Sequence, residues 1–387
     1  MTTILSFVYT YLPGYKAGGP LQSVANIVGH LGESFDFRIV TRDRDSGDET
    51  AYAGIAPGQW STVGGARVWY LAPERQTLMA VARLMRETPH DAIYLNSFFQ
   101  PCFGIYPLLA MRLGLAPRKP VIVAPRGEFS EGALALKAAK KKLFLTVARL
   151  LRLYRDVLWH ASSAHEARDI RHIFGARASV CIASNLPRKH HECLAHVPRL
   201  PGAPLRLLFL SRISPMKNLS FVVDVLERCS VPVECSLVGF VDAPKYWAAC
   251  ESRIAVLPPH IRVQYHGTIP ASEVPGVMAQ HDLFFLPTQG ENFGHVIIEA
   301  LGAGTPALIS DRTPWQDLEA QGAGWVYPLV DAEPYVAVIE RLYHEKATDA
   351  AARRNAALDY AQRFVRSEAL LVANRRLFEA ALDGVAG

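Results

Sequence analysis

The stretch LFFLPTQGENFGHVIIEAL, residues 283–301, reads as a strand, a loop and a helix in succession, and its reading decides the fold class. Leu283–Pro287 is a short continuous apolar run of the kind buried on both faces of a parallel sheet. Gly290 and Gly294 bracket a polar loop, and the spacing predicts a helix over His295–Gly302. A strand that turns through glycine into a helix aims backbone N–H groups at whatever lies before the helix, which suits a phosphate. Glu291 falls in the loop and Glu299 two turns on, about 12 Å away if both were helical. Carboxylates so far apart do not share one proton. They suit hydroxyls at the two ends of a long ligand. Spacing alone equally allows one acid near a helix start and another on a solvated face.

Working outward, the same alternation of short apolar runs and longer helical patterns fills the chain, the signature of βαβ units and parallel sheets. Strands are expected at Ile4–Tyr9, Phe37–Thr41, Arg67–Leu71, Ala92–Leu95, Val121–Ala124, Val157–Ala161 and near Val180, with helices between them. Residues 185–204 then carry four prolines with charge and histidine between, and the alternation restarts at Leu205–Leu210. Further strands are expected at Glu234–Gly239, Val263–His266 and Ala307–Ser310, and a last helix over Phe364–Leu382. This predicts two Rossmann-like, doubly wound α/β domains, residues 1–195 and 196–365, and a C-terminal helix, 366–387, crossing back towards the first. Two such sheets place a ligand cleft between the carboxyl ends of their strands.

Composition agrees with an enzyme of this size. The chain has 387 residues, half of them hydrophobic and a fifth charged, enough for two domains and unlike a disordered or fibrous protein. No apolar run reaches the length of a membrane-spanning helix. The apolar start, Ile4–Leu12, has no basic residue before it and reads as a first strand rather than a secretory signal. Six cysteines with no C-x-x-C pair read as reduced thiols, which points to the cytoplasm. His190, His191 and Cys193 lie together, but no second ligand pair follows at zinc spacing, so they read as a surface feature. Asp43–Arg44–Asp45 spells D-x-D, yet Arg42, Arg44 and Asp48 around it make it an ordinary charged loop. No G-x-G-x-x-G follows the first strand, against a dinucleotide cofactor.

The net charge of +5 is unevenly placed. Lys137, Lys140, Lys141, Lys142, Arg149, Arg152 and Arg155 fall within nineteen residues without an acid. Leu134, Leu143, Phe144, Val147, Leu150, Leu151 and Leu153 interleave with them at helical spacing, giving a basic amphipathic helix over Gly132–Tyr154. Two readings stay open: a solvated face, with Leu143, Phe144, Val147 and Leu151 packed on the sheet, or attraction to an anionic membrane surface. No stacking platform accompanies the charge, so nucleic acid is not the expected partner.

A second loop of the same kind as the first follows Leu205–Leu210. It carries Ser211, Arg212, Ile213, Ser214, Pro215, Met216, Lys217 and Asn218. Arg212 offers a planar fork to phosphate oxygens and Lys217 a mobile point charge, two cations able to stabilise a departing diphosphate without a metal. Two surface cations in a loop is the plainer reading.

Together these residues resemble the large retaining GT-B family of glycosyltransferases used in bacterial polysaccharide synthesis. Glu291 to Glu299 resembles its E-x7-E motif, Arg212 and Lys217 its basic pair, and Gly18–Gly19–Pro20 its glycine-bearing loop. The resemblance implies that Arg212 and Lys217 hold the donor diphosphate and Glu299 the ribose. It implies that Glu291 and the backbone of Asn292, Phe293, Gly294 and His295 hold the transferred sugar, with Gly18, Gly19 and Gly239 completing the donor site. Arg212, Lys217, Glu291 and Arg126 form the expected catalytic set. Arg126, in Pro125–Arg126–Gly127–Glu128, stands where many relatives carry a histidine near the reacting sugar. His160 and His165 flank a later strand end and read as structural. The implied activity is retaining, metal-independent and cofactor-free transfer from a UDP- or GDP-sugar to a glycan or lipid-linked acceptor, at the cytoplasmic face. The competing readings are a nucleotide-sugar epimerase of the same fold and a scaffold that keeps the fold without catalysis.

Overall fold

The structure is a computed structural model that describes all residues except 17, 131–132, 135–137, 190–195 and 384–387. His190, His191, Cys193 and Lys137 therefore lie outside the described residues. The chain divides into two compact units, Met1–Lys189 with Ser367–Gly387, and His190–Arg366.

The first unit is built on an eight-stranded sheet, numbered along the chain β1 (Thr2–Phe7), β2 (Phe35–Arg42), β3 (Trp60–Val63), β4 (Ala66–Leu71), β5 (Ala92–Leu95), β6 (Val121–Val123), β7 (Leu158–Ala161) and β8 (Val180–Ile182). Its order is β3-β4-β2-β1-β5-β6-β7-β8. Every pairing is parallel but one. β3, an edge strand outside those expected from the sequence, runs antiparallel to β4. The pair meets through Gly64 and Gly65, both at positive φ, a two-glycine hairpin turn of a kind that propensity recognises. The expected runs of β1, β5 and β6 are buried along nearly their whole length, Ile4, Leu5 and Phe7 among them, as residues covered on both sheet faces must be.

The covering helices are α1 (Gly19–Leu31), α2 (Leu78–Glu87), α3 (Tyr106–Arg112), α4 (Ala138–Leu150) and α5 (Ala164–Phe174). The basic helix is thus shorter than the periodicity predicts: after Leu150 the chain turns, and Arg152 adopts a left-handed φ of 50°. Of the apolar residues assigned to its inner face, Phe144 packs against the core beside Phe98, with centroids 5.5 Å apart. Leu143, Val147 and Leu151 do not: they are 67%, 42% and 64% exposed, which corrects the packed reading.

The second unit holds β9 (Leu205–Leu210), β10 (Val233–Val238), β11 (Ile261–Tyr265), β12 (Leu283–Leu286), β13 (Ala307–Ser310) and β14 (Gly324–Tyr327). They form one parallel sheet in the order β11-β10-β9-β12-β13-β14. Around it lie α6 (Leu219–Arg228), α7 (Pro244–Ile254), α8 (Val274–Ala279), α9 (His295–Gly302), α10 (Glu333–Tyr343) and α11 (Ala347–Val365). The order reverses between β9 and β12, because β10 and β11 were added on one side and β12 to β14 on the other. In the first unit the corresponding reversal lies between β1 and β5.

The expected single helix over Phe364–Leu382 is two. α11 ends at Val365, and α12 (Glu368–Asp383) follows. α12 belongs to the first unit. Its Leu377, Phe378 and Ala381 are buried, and the Phe378 ring lies 5.3, 5.5 and 5.3 Å from those of Phe35, Phe37 and Tyr94. The Asn374 amide donates to the Ser184 carbonyl at 2.8 Å.

Candidate functional site

In the second unit the residues singled out gather where the strand order reverses, the place where open α/β sheets bind ligands. Lys217 ends a short turn, Pro215–Lys217, after β9, and Glu291 lies in the loop after β12. Their side chains form an ion pair, both largely buried. Sequence reasoning gave these two residues separate duties; the structure brings them together. The backbone explains why. The Gln289 N–H donates to the Met216 carbonyl at 2.8 Å, and the Thr288 hydroxyl sits 3.0 Å from the same oxygen. Glu291 itself is pinned from the other side, its N–H donating to the Arg312 carbonyl at 2.9 Å. The Ser310 hydroxyl bonds the Thr288 carbonyl at 2.5 Å. Three adjacent strand ends, β9, β12 and β13, are thereby stitched into one surface.

Arg212 is more open. Its guanidinium meets Asp242 at 3.1 Å, with both side chains nearly half exposed. A pair so wet contributes little stability, and the fork is left accessible. Asp242, unremarked in the sequence, arrives through Gly239. At a φ of 144°, Gly239 passes so close to the neighbouring loop that a Cβ there would lie 2.0 Å from the Ser211 carbonyl oxygen. Only glycine allows that approach. Beyond it, Val241 bridges Ile213 in parallel, carrying the β10 loop alongside Arg212. Gly239 thus has a structural account of its own, as the point where two loops touch.

Gly294 caps α9 in the left-handed conformation, φ 79°, and any Cβ would press on Ile297 at 2.8 Å. Phe293 turns inward: it is buried, its carbonyl accepts from the Trp315 indole at 2.5 Å, and its ring lies 4.6 Å from His295 and 5.2 Å from Trp315. The rings of Phe293 and His295 are therefore packed inward. Asn292 and Glu299 are half-buried, the latter in the second turn of α9.

The first unit has its own cluster at the carboxyl ends of β5 to β8. Gly18 and Gly19 open α1 in the open, with nothing within 4 Å of a Cβ built at either. The loop before them is held by Asp45, whose carboxylate accepts from the N–H groups of Tyr15 and Lys16 at 2.7 and 3.0 Å. Asp43 pairs with Arg44 at 2.8 Å. Both acids of the D-x-D are thus engaged in shaping the loop.

Arg126 takes a left-handed φ of 56° and turns its guanidinium onto three neighbours. Nη1 donates to Asn185 Oδ1 at 2.6 Å, and Nη2 donates to the Tyr94 hydroxyl at 2.6 Å and Asn96 Oδ1 at 2.8 Å. Behind it, the Tyr94 hydroxyl lies 2.8 Å from His160 Nδ1, and His160 Nε2 lies 2.8 Å from the Ala183 carbonyl. A carbonyl only accepts, so Nε2 carries the proton and Tyr94 donates to Nδ1. Burial, and then the Arg126 charge, push the His160 pKa down to about 3, so the ring stays neutral and acts as a prop. His165, by contrast, is exposed and lies 3.3 Å from Asp169. Glu128 bonds the Ser97 hydroxyl and the Phe98 N–H at 2.9 and 2.5 Å; Glu166 bonds the Gly127 N–H at 2.6 Å and Ser162 at 2.8 Å. Tyr94, Asn96, Asn185, Glu128 and Glu166 had no pattern to betray them. They come from a strand, a helix start and the loops after strands, and only the topology brings them together.

Residues 195–359 match the model of the family described as glycosyl transferases group 1. The match covers most of the second unit. One curated relative, the phosphatidyl-myo-inositol mannosyltransferase of Mycobacterium leprae, is 30% identical over 150 residues, which cover 36% of this chain and 38% of that protein. The chain therefore spans well under half of that curated relative. Among solved structures, HepE of Anabaena in complex with UDP-glucose superposes with a TM-score of 0.73 at 19% identity, covering 98% of this chain and 99% of that one. WaaG, a glycosyltransferase involved in lipopolysaccharide biosynthesis, gives 0.63 at 15%, covering both chains fully. At such identities the likeness shows the fold, and the fold is GT-B, with its two α/β units.

Proposed function

We propose that this chain is a group 1 glycosyltransferase that moves a sugar from a nucleotide-sugar donor, UDP- or GDP-linked, to a glycan or lipid-linked acceptor in polysaccharide synthesis, retaining the anomeric configuration and needing no metal or cofactor. The observation that carries the reading is the arrangement at the β9/β12 reversal: an open Arg212 fork, Lys217 beside Glu291, and the N-terminus of α9. Arg212 and Lys217 take the donor diphosphate, Glu299 the ribose, and Glu291 with the backbone of residues 292–295 the sugar. Gly18 and Gly19, uncrowded at the start of α1, leave room for a ligand to approach the backbone closely.

Among these residues no carboxylate pair takes the place of a glycosidase nucleophile and acid. The acceptor hydroxyl instead attacks on the face from which the diphosphate leaves, and the departing phosphate oxygen takes its proton. The protein supplies position and charge. Lys217 serves twice in this scheme, since it fixes Glu291 and meets the phosphate as negative charge grows on it.

Among the described residues no helix is long and apolar enough to cross a membrane. We place the enzyme on the inner face of the cell membrane through α4. Leu143, Val147 and Leu150 form an exposed stripe at i, i+4 and i+7, continued by exposed Leu151, and Lys140, Lys142 and Arg152 are exposed around it. Lys141 is excluded, because its ammonium is turned onto the Ala133 carbonyl at 2.7 Å. Each such apolar side chain withdrawn from water contributes about 1.5–3 kcal/mol when fully buried, and the cations add attraction to anionic lipid that salt screens.

The test is a melting-temperature screen with UDP-, GDP- and ADP-sugars, followed by donor turnover with and without acceptor in EDTA and NMR of the product's anomeric proton. Stabilisation by one nucleotide class, turnover in EDTA and a retained configuration are expected. Inversion, or activity restored only by manganese, overturns the assignment.

A further inference from the structure

A guanidinium presents five N–H donors and a full positive charge. At Arg126 three donors are used, and all three acceptors are neutral: the Tyr94 phenol and the side-chain carbonyls of Asn96 and Asn185. Those three residues are buried, so they aim the group rigidly without neutralising it. The Nε–H is itself buried and has no hydrogen-bond partner among the described residues. Among the described residues no carboxylate forms an ion pair with Arg126; Glu128 bonds residues 97 and 98, and Glu166 bonds Gly127 and Ser162. The field of the charge is felt nearby, for it helps keep His160 unprotonated. Arg126 is half-buried rather than sealed, and it stands at the carboxyl edge of the first sheet, the side on which α/β sheets bind ligands.

The geometry points to Arg126 as an anion-binding residue on the acceptor side: the acceptor carries an anionic oxygen, of a phosphate or a carboxylate, that meets the remaining Nη1 hydrogen and the uncompensated charge. The inference rests on the transferase reading and names the substrate class. A neutral carbohydrate leaves the charge unpaired, whereas a phosphate-linked or uronic-acid acceptor satisfies it. Arg126 is then a specificity-determining residue, and histidine at the same place would not supply a permanent charge.

The test uses the full chain with Arg212→Ala and Lys217→Ala, which removes the two cations assigned to the donor diphosphate. Binding of inorganic phosphate, methyl β-glucuronide and methyl β-glucoside is followed by NMR. Phosphate or glucuronide is expected to bind about tenfold or more tightly than the neutral glucoside, and Arg126→Gln to abolish that preference while Arg126→Lys keeps part of it. Asn185→Asp retains the arginine and its hydrogen bond but supplies a carboxylate, and it should abolish the preference too; it answers the question even if Arg126→Gln fails to fold. Phosphate bound alone identifies a phosphate-linked acceptor, and glucuronide bound alone a uronic acid. A preference that persists in Arg126→Gln or Asn185→Asp overturns the inference, as does equal or absent binding of all three probes. Failure of the transferase reading looks different: the unaltered chain would then bind no nucleotide-sugar, whatever Arg126 does.

Discussion

Replacing Gly239 by alanine tests whether the cation-bearing loop after β9 is positioned by contact with the loop after β10. A Cβ at this position would lie 2.0 Å from the Ser211 carbonyl oxygen, and real contacts of this kind do not fall below 3.0 Å. The β9 and β10 loops must therefore part by roughly 1 Å, a misplacement that at a reacting centre costs on the order of 100-fold in rate. The φ of 144° cannot relax cheaply either, since side-chain-bearing residues avoid that region. Backbone strain and overpacking together cost about 2–3 kcal/mol, which for a unit of this size lowers the melting temperature by about 5–10 °C. The expected result of Gly239→Ala is thus a folded protein with donor turnover down about 100-fold, measured by release of nucleotide diphosphate, and a lower melting temperature. Substituting Ser211 by alanine should change neither, because the crowded atom belongs to the backbone. Wild-type turnover and melting in Gly239→Ala would refute the claim that close approach at Gly239 sets the place of Arg212.

Glu291→Gln should lower turnover and loosen Lys217, and a double-mutant cycle with Lys217→Met should show coupling of about 1–3 kcal/mol in transition-state stabilisation; additivity would mean the two act separately. Glu299→Ala should weaken donor affinity more than it slows chemistry, because ribose contacts are the same in ground and transition states; a normal affinity by calorimetry removes it from the site. Phe378→Ala should cost about 3–5 kcal/mol by denaturant unfolding, with the loss in the first unit's transition, since its ring fills the gap between Phe35, Phe37 and Tyr94. His160 is held down to about pKa 3, so the unfolded chain takes up its proton first, and stability falls as pH drops from about 6.5 towards 3, by about 1.4 kcal/mol per unit from this group. A His160→Gln variant should show a correspondingly shallower acid slope, and an imidazole titrating near 6 by NMR would show the assignment to be wrong.

The parallel framework was readable because strands covered on both faces must be apolar throughout, and β1, β9 and β12 announce themselves that way. The loop from Gly290 to Gly294 was readable because its glycines and the helix after it leave little conformational choice. What escaped was contact between segments distant in the chain. Lys217 and Glu291 are separated by more than seventy residues, and nothing local says that the Met216 carbonyl will take up Gln289. The Arg126 network escaped for the same reason, since Tyr94 in a run of buried residues looks like any core aromatic. The helix α4 was found from its charge, but its exposed leucines contradict the inward face that periodicity assigns, because a helical stripe tells which residues lie together and not which side faces the sheet.

The return of α12 to the first unit has a consequence for how the protein is made. Synthesis runs from the N-terminus, so the first unit leaves the ribosome without Leu377, Phe378 and Ala381, and the whole of His190–Arg366 must be added before they appear. At 5–20 residues per second that interval is roughly 10–35 s. During it the patch around Phe35, Phe37 and Tyr94 is uncovered, while the second unit, continuous in sequence, can close its own core. The first unit to be started is therefore the last to be finished, and a chaperone that shields this one apolar patch should matter most to the yield of active enzyme.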